Sequence, residues 1–197
     1  MADFKSGART SAVPQRLPVV LMIATAKDAT DEEIREAAAY FSALKLPSNL
    51  KVVEADIVPK TYVFGWHMAA MTTGETEPLG QRIIEVPDDL EQFVSRDGRA
   101  RFTAYVPPGS IEKGRNLAAG TSTHIPACAV CHGPELKGLG PIPGIAGRSP
   151  TYTVRQLYDF KSGARAGIGS ALMRPMVKEM SLDDMIALAA YAASLSP

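Results

Sequence analysis

Only two cysteines occur among the 197 residues, Cys128 and Cys131, and they stand three apart. So few thiols, so close together, exclude a disulfide framework and point to a local chemical task. No apolar run is long enough to span a bilayer, so no transmembrane segment is expected. Net charge of either sign is missing as well: 21 Lys and Arg balance 21 Asp and Glu. That balance makes neither nucleic acid nor an anionic membrane a default partner, and any charged docking patch has to be local. Glycine (16) and proline (15) follow no period, which argues against collagen or a solenoid and for many loops and short helices. What the chain does have is 46% hydrophobic residues, enough for one sizeable core or two small ones.

It also has an exact internal repeat. The heptapeptide DFKSGAR occupies Asp3 to Arg9 and again Asp159 to Arg165. Each copy leads, after spacers of different length, to a Leu-Met pair, Leu21-Met22 and Leu172-Met173, eight residues ahead of Thr30 and Ser181. Both hydroxyl residues have the setting of a helix N-cap. Thr30 with Glu33 has capping-box spacing, and Asp183 and Asp184 place negative charge on the first turn of the second helix. Apolar residues then recur at three to four residue spacing, at Ile34, Ala37, Ala38 and Phe41 and at Leu182, Met185, Ile186 and Ala189. Two amphipathic helices are predicted, each ending near an Ala-Ala-Tyr and a Leu.

Between the copies, residues 51–108 have another character. VVEADIVP, YVFGW, QRIIEVP and FTAYVPP are β-branched and aromatic runs broken by Gly and Pro, and predict short strands or extended linker segments. Trp66, His67 and Met68 fall here and are read as packing, because no second ligand pattern stands near them.

The chemistry lies in Cys128-Ala129-Val130-Cys131-His132. CxxCH is a haem c attachment signal: two thiols spaced to reach the two vinyl groups of one porphyrin, with the adjacent histidine beneath the iron. A dithiol redox centre would leave His132 idle and lacks a thioredoxin-like context. A zinc site would need four ligands, and the other candidates, His67 and His124, lack a matching knuckle.

From about Gly109 to Pro197 the sequence resembles a class I cytochrome c domain of the bacterial cytochrome c4 and c553 type, on CAVCHG, PGIAGRSPTYTVRQLYDFKSGAR and the Met173 segment leading into SLDDMIALAAYAASL. The resemblance implies an all-α domain round one covalent haem c, with His132 as proximal ligand and a distal methionine in the loop before the last helix. Met173 is the choice for that ligand and Met176 the runner-up, with Met180 and Met185 as core. A neutral thioether favours Fe(II), raises the potential and closes the sixth site, which means electron transfer. The resemblance also implies that His132 donates its second ring N–H to a backbone carbonyl, at Pro143 or else Pro141. Tyr152, Leu157 and Phe160 would line the haem or simply fill the core, and Arg165 would pair with a propionate or face solvent. Gly114 sits where such domains have a small residue, allowing the last helix to approach near Tyr191. The stretch AAGTSTHIPA is longer than the family minimum, so the first helix should stop early, with a loop shaping the haem edge and His124 solvated.

The expected organisation is a haem-less, partial cytochrome c-like segment at 1–50, an inter-domain linker at 51–108 and the haem-binding domain at 109–197. The whole resembles a dihaem cytochrome whose first domain lacks its haem-binding half, with Met22 as a plain core residue. Lys5, Arg9 and Arg16 ahead of LPVVLMIATA and Ala24-Thr25-Ala26 also mimic a secretory leader. Alignment of the same residues with the second copy favours the cytochrome reading, with either a start further upstream or another chain supplying the missing half. The expected function is non-enzymatic transfer of single electrons between a donor and an acceptor redox protein in the periplasm. The alternatives are a haem subunit of a dehydrogenase or oxidase complex and a haem ligand sensor with an open sixth site.

Overall fold

A computed structural model describes residues 1–44, 48–65, 67–122 and 125–197. In chain order the first elements are α1 (Ala2–Lys5), α2 (Leu17–Asp28) and α3 (Asp31–Ala43). Next come β1 (Leu50–Glu54), β2 (Ile57–Pro59), β3 (Thr61–Phe64), β4 (His67–Ala70), β5 (Thr76–Pro78), β6 (Ile84–Pro87), α4 (Leu90–Val94) and β7 (Phe102–Val106). The rest is α5 (Ser110–Ala119), α6 (Ala129–His132), β8 (Gly138–Leu139), β9 (Ile142–Pro143), α7 (Pro150–Ser162), a 3-10 turn at Ile168–Ser170, α8 (Met173–Val177) and α9 (Leu182–Ser194). Two units divide these elements. One comprises Met1–Leu46 and Arg155–Lys178, the other Pro47–Val154 and Glu179–Pro197. Trp66 and His124, read from the sequence as packed and as solvated, lie outside the described residues.

In the first unit the two heptapeptides pair with each other. Each folds identically: the Arg9 N–H donates to the Asp3 carbonyl at 2.9 Å and the Arg165 N–H to the Asp159 carbonyl at 3.0 Å. Gly7 and Gly163 turn the chain at φ 78° and 80°, a region where glycine carries no Cβ penalty. Each arginine then lies over the phenylalanine of its own copy, Arg9 on Phe4 at 4.7 Å and Arg165 on Phe160 at 4.3 Å. Across the pair, the Thr10 N–H donates to the Ala164 carbonyl at 2.8 Å and the Ala166 N–H to the Ala8 carbonyl at 2.7 Å. The contacts are reciprocal, as around a local two-fold axis.

The predicted caps form at both helices. In α3 the Glu33 N–H donates to Thr30 Oγ1 at 3.2 Å while Glu33 Oε2 accepts from the Thr30 N–H at 2.7 Å. The predicted apolar face of α3, however, is not packed: no residue of the helix is buried, and Phe41 is 67% exposed. Met22, expected in a core, is 39% exposed on α2. Of the described residues up to 44, only Phe4 and Ala26 are buried. A capped amphipathic helix forms from local signals alone; its burial requires a covering element, and that unit supplies none for α3 among the described residues.

The second unit corrects the all-α expectation. β1 pairs parallel with β7, and β7 antiparallel with β6, giving a three-stranded sheet in the order β1-β7-β6. Antiparallel pairs β2–β5 and β3–β4 stand beside it. Val58, Leu79, Ile84 and Val86 form a cluster joined by Ala55, Met68 and Tyr105. The predicted extended runs hold β1, β2, β3, β6 and β7, whereas β4 and β5 were not foreseen: HMAA and TEP have no β-branched alternation beyond one threonine, and pairing partners impose their conformation. The short α4 also went unread, although Asp89 caps it by accepting from the Gln92 N–H at 2.9 Å. It closes with the Asp97 N–H on the Gln92 carbonyl and the Arg96 N–H on the Phe93 carbonyl. Arg96 holds φ 61°, where a side chain costs about 1 kcal/mol relative to glycine.

Helix α9 is the backbone of this unit's helical part. Met185, Ile186, Leu188 and Ala189 are buried, and Leu182, counted in the same face from sequence, is 56% exposed at the first helical position. α5 crosses α9 so closely that a Cβ on Gly114 would lie 2.0 Å from the Ala187 carbonyl oxygen and 2.7 Å from Tyr191 Cβ. Lys113 Nζ, one residue earlier, pairs with Asp184 Oδ1 at 2.9 Å.

Candidate functional site

The CxxCH segment folds as one helical turn. Cys128 is the N-cap of α6, and its carbonyl accepts from the Cys131 N–H at 3.2 Å and the His132 N–H at 2.9 Å. Both thiols are free; Cys131 is exposed and Cys128 half-buried, and burial pushes the Cys128 thiol above its ordinary pKa. α6 breaks at Gly133, φ 81°, and the chain returns as the β8–β9 hairpin with Gly138 opposite Pro143. Gly138 admits the return strand: a Cβ there would lie 2.7 Å from the Gly144 nitrogen. The hairpin carries the Pro143 carbonyl to His132 Nδ1 at 2.8 Å.

That bond assigns the ring. A carbonyl only accepts, so Nδ1 carries the proton and Nε2 keeps its lone pair for a metal. His132 itself is buried, which fixes the ring plane. A covalent haem fits these residues: two free thiols at one turn's separation, and an imidazole whose remote nitrogen is held in the ligating tautomer. Pro143 rather than Pro141 is the carbonyl that meets His132.

The structure brings Cys128, Cys131, His132 and Pro143 together, and Tyr152, exposed on the first turn of α7, belongs to the same unit. Leu157 and Phe160, both buried, belong to the other unit, as do Arg165, Met173 and Met176. Met173 and Met176 are both half-buried on α8. Arg165 Nη1 donates to Gln156 Oε1 at 2.9 Å, and Arg9 Nη2 donates to the same oxygen at 2.9 Å. This shared acceptor was not foreseen, since the first heptapeptide was read only as a relic of a copied unit. The signal in the sequence was the repeat itself, which gives each copy an arginine able to reach one acceptor.

No helix among the described residues is long and apolar enough to cross a membrane, and no group of three or more His, Cys, Asp or Glu side chains there is arranged to hold a metal ion.

Comparison with known proteins agrees with this geometry. The cytochrome c family profile matches residues 111–196. Cytochrome c4 of Azotobacter vinelandii is 30% identical over 141 residues, 64% of this chain and 67% of that protein. The thiosulfate dehydrogenase electron acceptor of Stutzerimonas stutzeri is 37% identical over 73 residues, 36% of this chain and 34% of that protein. The solved structure of cytochrome c4 from Acidithiobacillus ferrooxidans superposes with a TM-score of 0.58 at 22% identity, covering 98% of this chain and 80% of that one.

Proposed function

The chain belongs to the class I c-type cytochromes of the cytochrome c4 type, and from that premise we propose that it carries one haem c per chain and passes single electrons between two redox proteins in the periplasm. Cys128 and Cys131 form the thioether links and His132 Nε2 is the proximal ligand. Met173 is the distal ligand, with Met176 as the runner-up. The observation that carries the reading is the 2.8 Å bond from His132 Nδ1–H to the Pro143 carbonyl, which leaves Nε2 as the free donor beside two reduced thiols.

When bound, the haem supplies a one-electron couple. The protein's part is to hold the imidazole in one tautomer and one plane, so that little reorganisation accompanies a change of oxidation state. The Pro143 carbonyl also makes the imidazole more electron-donating. A methionine ligand would support a high potential and leave no open site for exogenous ligands, which fits transfer rather than ligand chemistry. Tyr152, Leu157 and Phe160 are proposed to border the haem and Arg165 to face a propionate. For domains the proposal is a haem-binding region at 109–197, a connecting region at 51–108 and a haem-less segment at 1–50.

A second reading is favoured by the similarity to a thiosulfate dehydrogenase electron acceptor: the protein serves as the electron-accepting partner of a dehydrogenase whose catalytic site lies in another polypeptide. Stable co-purification with a catalytic subunit distinguishes it from a free shuttle. For the main reading, maturation with the haem-attachment machinery should add the mass of one haem, retained through acid-acetone extraction. The double substitution of Cys128 and Cys131 by serine should abolish it; covalent haem persisting in that variant overturns the assignment.

A further inference from the structure

Strand β6 carries one acid between two core residues. Ile84 and Val86 are buried in the apolar cluster with Val58 and Leu79, and Glu85, between them, leaves the strand on the other face. Its Oε2 accepts from the Ser149 hydroxyl and from the Thr151 hydroxyl, both at 2.7 Å. Short bonds to an ionised acceptor are the strong kind. Ser149 in turn caps the start of α7, its hydroxyl accepting from the Tyr152 N–H at 3.2 Å and its carbonyl from the Thr153 N–H at 3.0 Å. The sheet is thereby bonded to the residue at which the loop after the β8–β9 hairpin ends.

That loop begins at the partner of His132. Pro143, whose carbonyl meets the imidazole, is followed by Gly144, whose carbonyl accepts from Arg148 Nε at 2.7 Å. Arg148 adjoins Ser149, so a path runs from Glu85 through Ser149, Arg148, Gly144 and Pro143 to His132, each step a hydrogen bond or a peptide link. The loop has little room to rearrange. A Cβ on Gly144 would stand 2.6 Å from the Lys137 carbonyl oxygen, and one on Gly147 2.7 Å from Pro197 Cδ. Its middle is held by the Leu136 carbonyl, which accepts from the Ile145 and Ala146 N–H groups at 2.8 and 3.0 Å. A segment packed this closely shifts as a piece, so the place where its far end is fixed bears on where the Pro143 carbonyl points.

We propose, on the reading of His132 as the proximal ligand, that Glu85 is a positioning residue for it: the sheet within residues 51–108 clamps the far end of the 143–149 loop through Glu85, and the clamp keeps the Pro143 carbonyl on His132 Nδ1–H. Residues 51–108 then act on the redox centre as well as connecting two regions. A firm bond at Nδ1 makes the imidazole a stronger donor and favours Fe(III), so a loosened clamp raises the reduction potential. A plain helix cap would stabilise α7 and leave the His132 ring as it was.

The test follows exchange of the His132 Nδ1 proton by NMR in the full chain, haem-free and haem-loaded in the reduced state, together with the potential of the loaded protein. Glu85→Ala should speed exchange about tenfold or more in both forms and raise the potential. Glu85→Gln drops the charge but keeps an acceptor oxygen for the hydroxyls, and should restore most of the protection. Ser149→Ala combined with Thr151→Val removes the donors, keeps the carboxylate, and should match Glu85→Ala in exchange. Unchanged exchange in Glu85→Ala, whatever happens to its thermal midpoint, overturns the proposal. Exchange in Glu85→Gln as fast as in Glu85→Ala overturns it too, because charge alone would then be the cause. Failure of the unaltered chain to attach haem would instead overturn the main reading, and the haem-free comparison would still decide whether Glu85 holds the ring.

Discussion

Helices α3 and α9 come from equivalent places in two copies of one repeat, begin with the same kind of capping box, and end in opposite environments. In α9 nine residues are buried, in α3 none. Their first turns are acidic in both cases, and both caps close with an N–H from the backbone onto a Thr or Ser hydroxyl. What differs is α5. It lies on α9 through Gly114 and ties its Lys113 to Asp184, whereas α3 has no such companion among the described residues of its unit. The pair separates two things usually seen together: local signals decide that a helix forms and where it starts, and a second element decides whether its apolar stripe contributes to stability.

The comparison can be broken most sharply at the methionines that follow each heptapeptide. If Met173 ligates iron, Met173→Ala in haem-loaded protein should remove the weak long-wavelength sulfur-to-iron(III) band and lower the potential, while Met22→Ala, at the equivalent place in the first copy, leaves both unchanged. Loss of the band in Met176→Ala instead would move the ligand three residues along α8.

Next in size is the helix crossing. Gly114→Ala must push a methyl group against the Ala187 backbone, and a cost of about 1–3 kcal/mol is expected from denaturant unfolding. Phe41→Ala, on the uncovered α3, should change stability by no more than about 0.5 kcal/mol despite removing a whole ring. A large loss there would mean that α3 is covered in solution.

The caps give the smallest contrast. Ser181→Ala should cost about 1 kcal/mol, because it frees the Asp184 N–H and one partner of the Asp184 carboxylate together. Thr30→Ala removes the same bonds from an exposed turn and should cost less. Both caps hold their carboxyl below its ordinary pKa: hydrogen bonds from Thr30 lower Glu33, while at Asp184 burial opposes the shift. Burial pushes the Asp184 carboxyl up, but hydrogen bonds from Ser181 and Lys113 outweigh it and hold the pKa below the usual value. The stability it contributes is therefore complete above the ordinary carboxylate range and is lost as pH falls through the lower folded-state value. Lys113→Met should flatten that acid limb in pH-dependent unfolding.

Both N-caps and the helical periods were legible because they depend on neighbours a few positions away. The carbonyl partner of His132 was narrowed to Pro143 or Pro141 by the family resemblance, and the structure has Pro143. The parallel pairing of β1 with β7 was not legible, because it joins Leu50 to Phe102 across nearly the whole of the 51–108 region and is set by partners remote in sequence. The exposure of Met22 and Phe41 was misjudged for a related reason: the apolar pattern of a helix records a face, and says nothing about whether an element lies on it. Arg9 and Gln156 escaped notice because their contact depends on a fold-back between the two ends of a unit.

The reciprocal fit of the two heptapeptides bears on how each copy can vary. The bonds that join them, Thr10 to Ala164 and Ala166 to Ala8, run from backbone N–H to backbone carbonyl, and Thr10 and Ala166 already differ, so side-chain changes alone leave the pairing in place. The sequence-dependent part is the stacking of each arginine on its own phenylalanine and the Gln156 oxygen that both arginines share, where one substitution is felt by both copies at once.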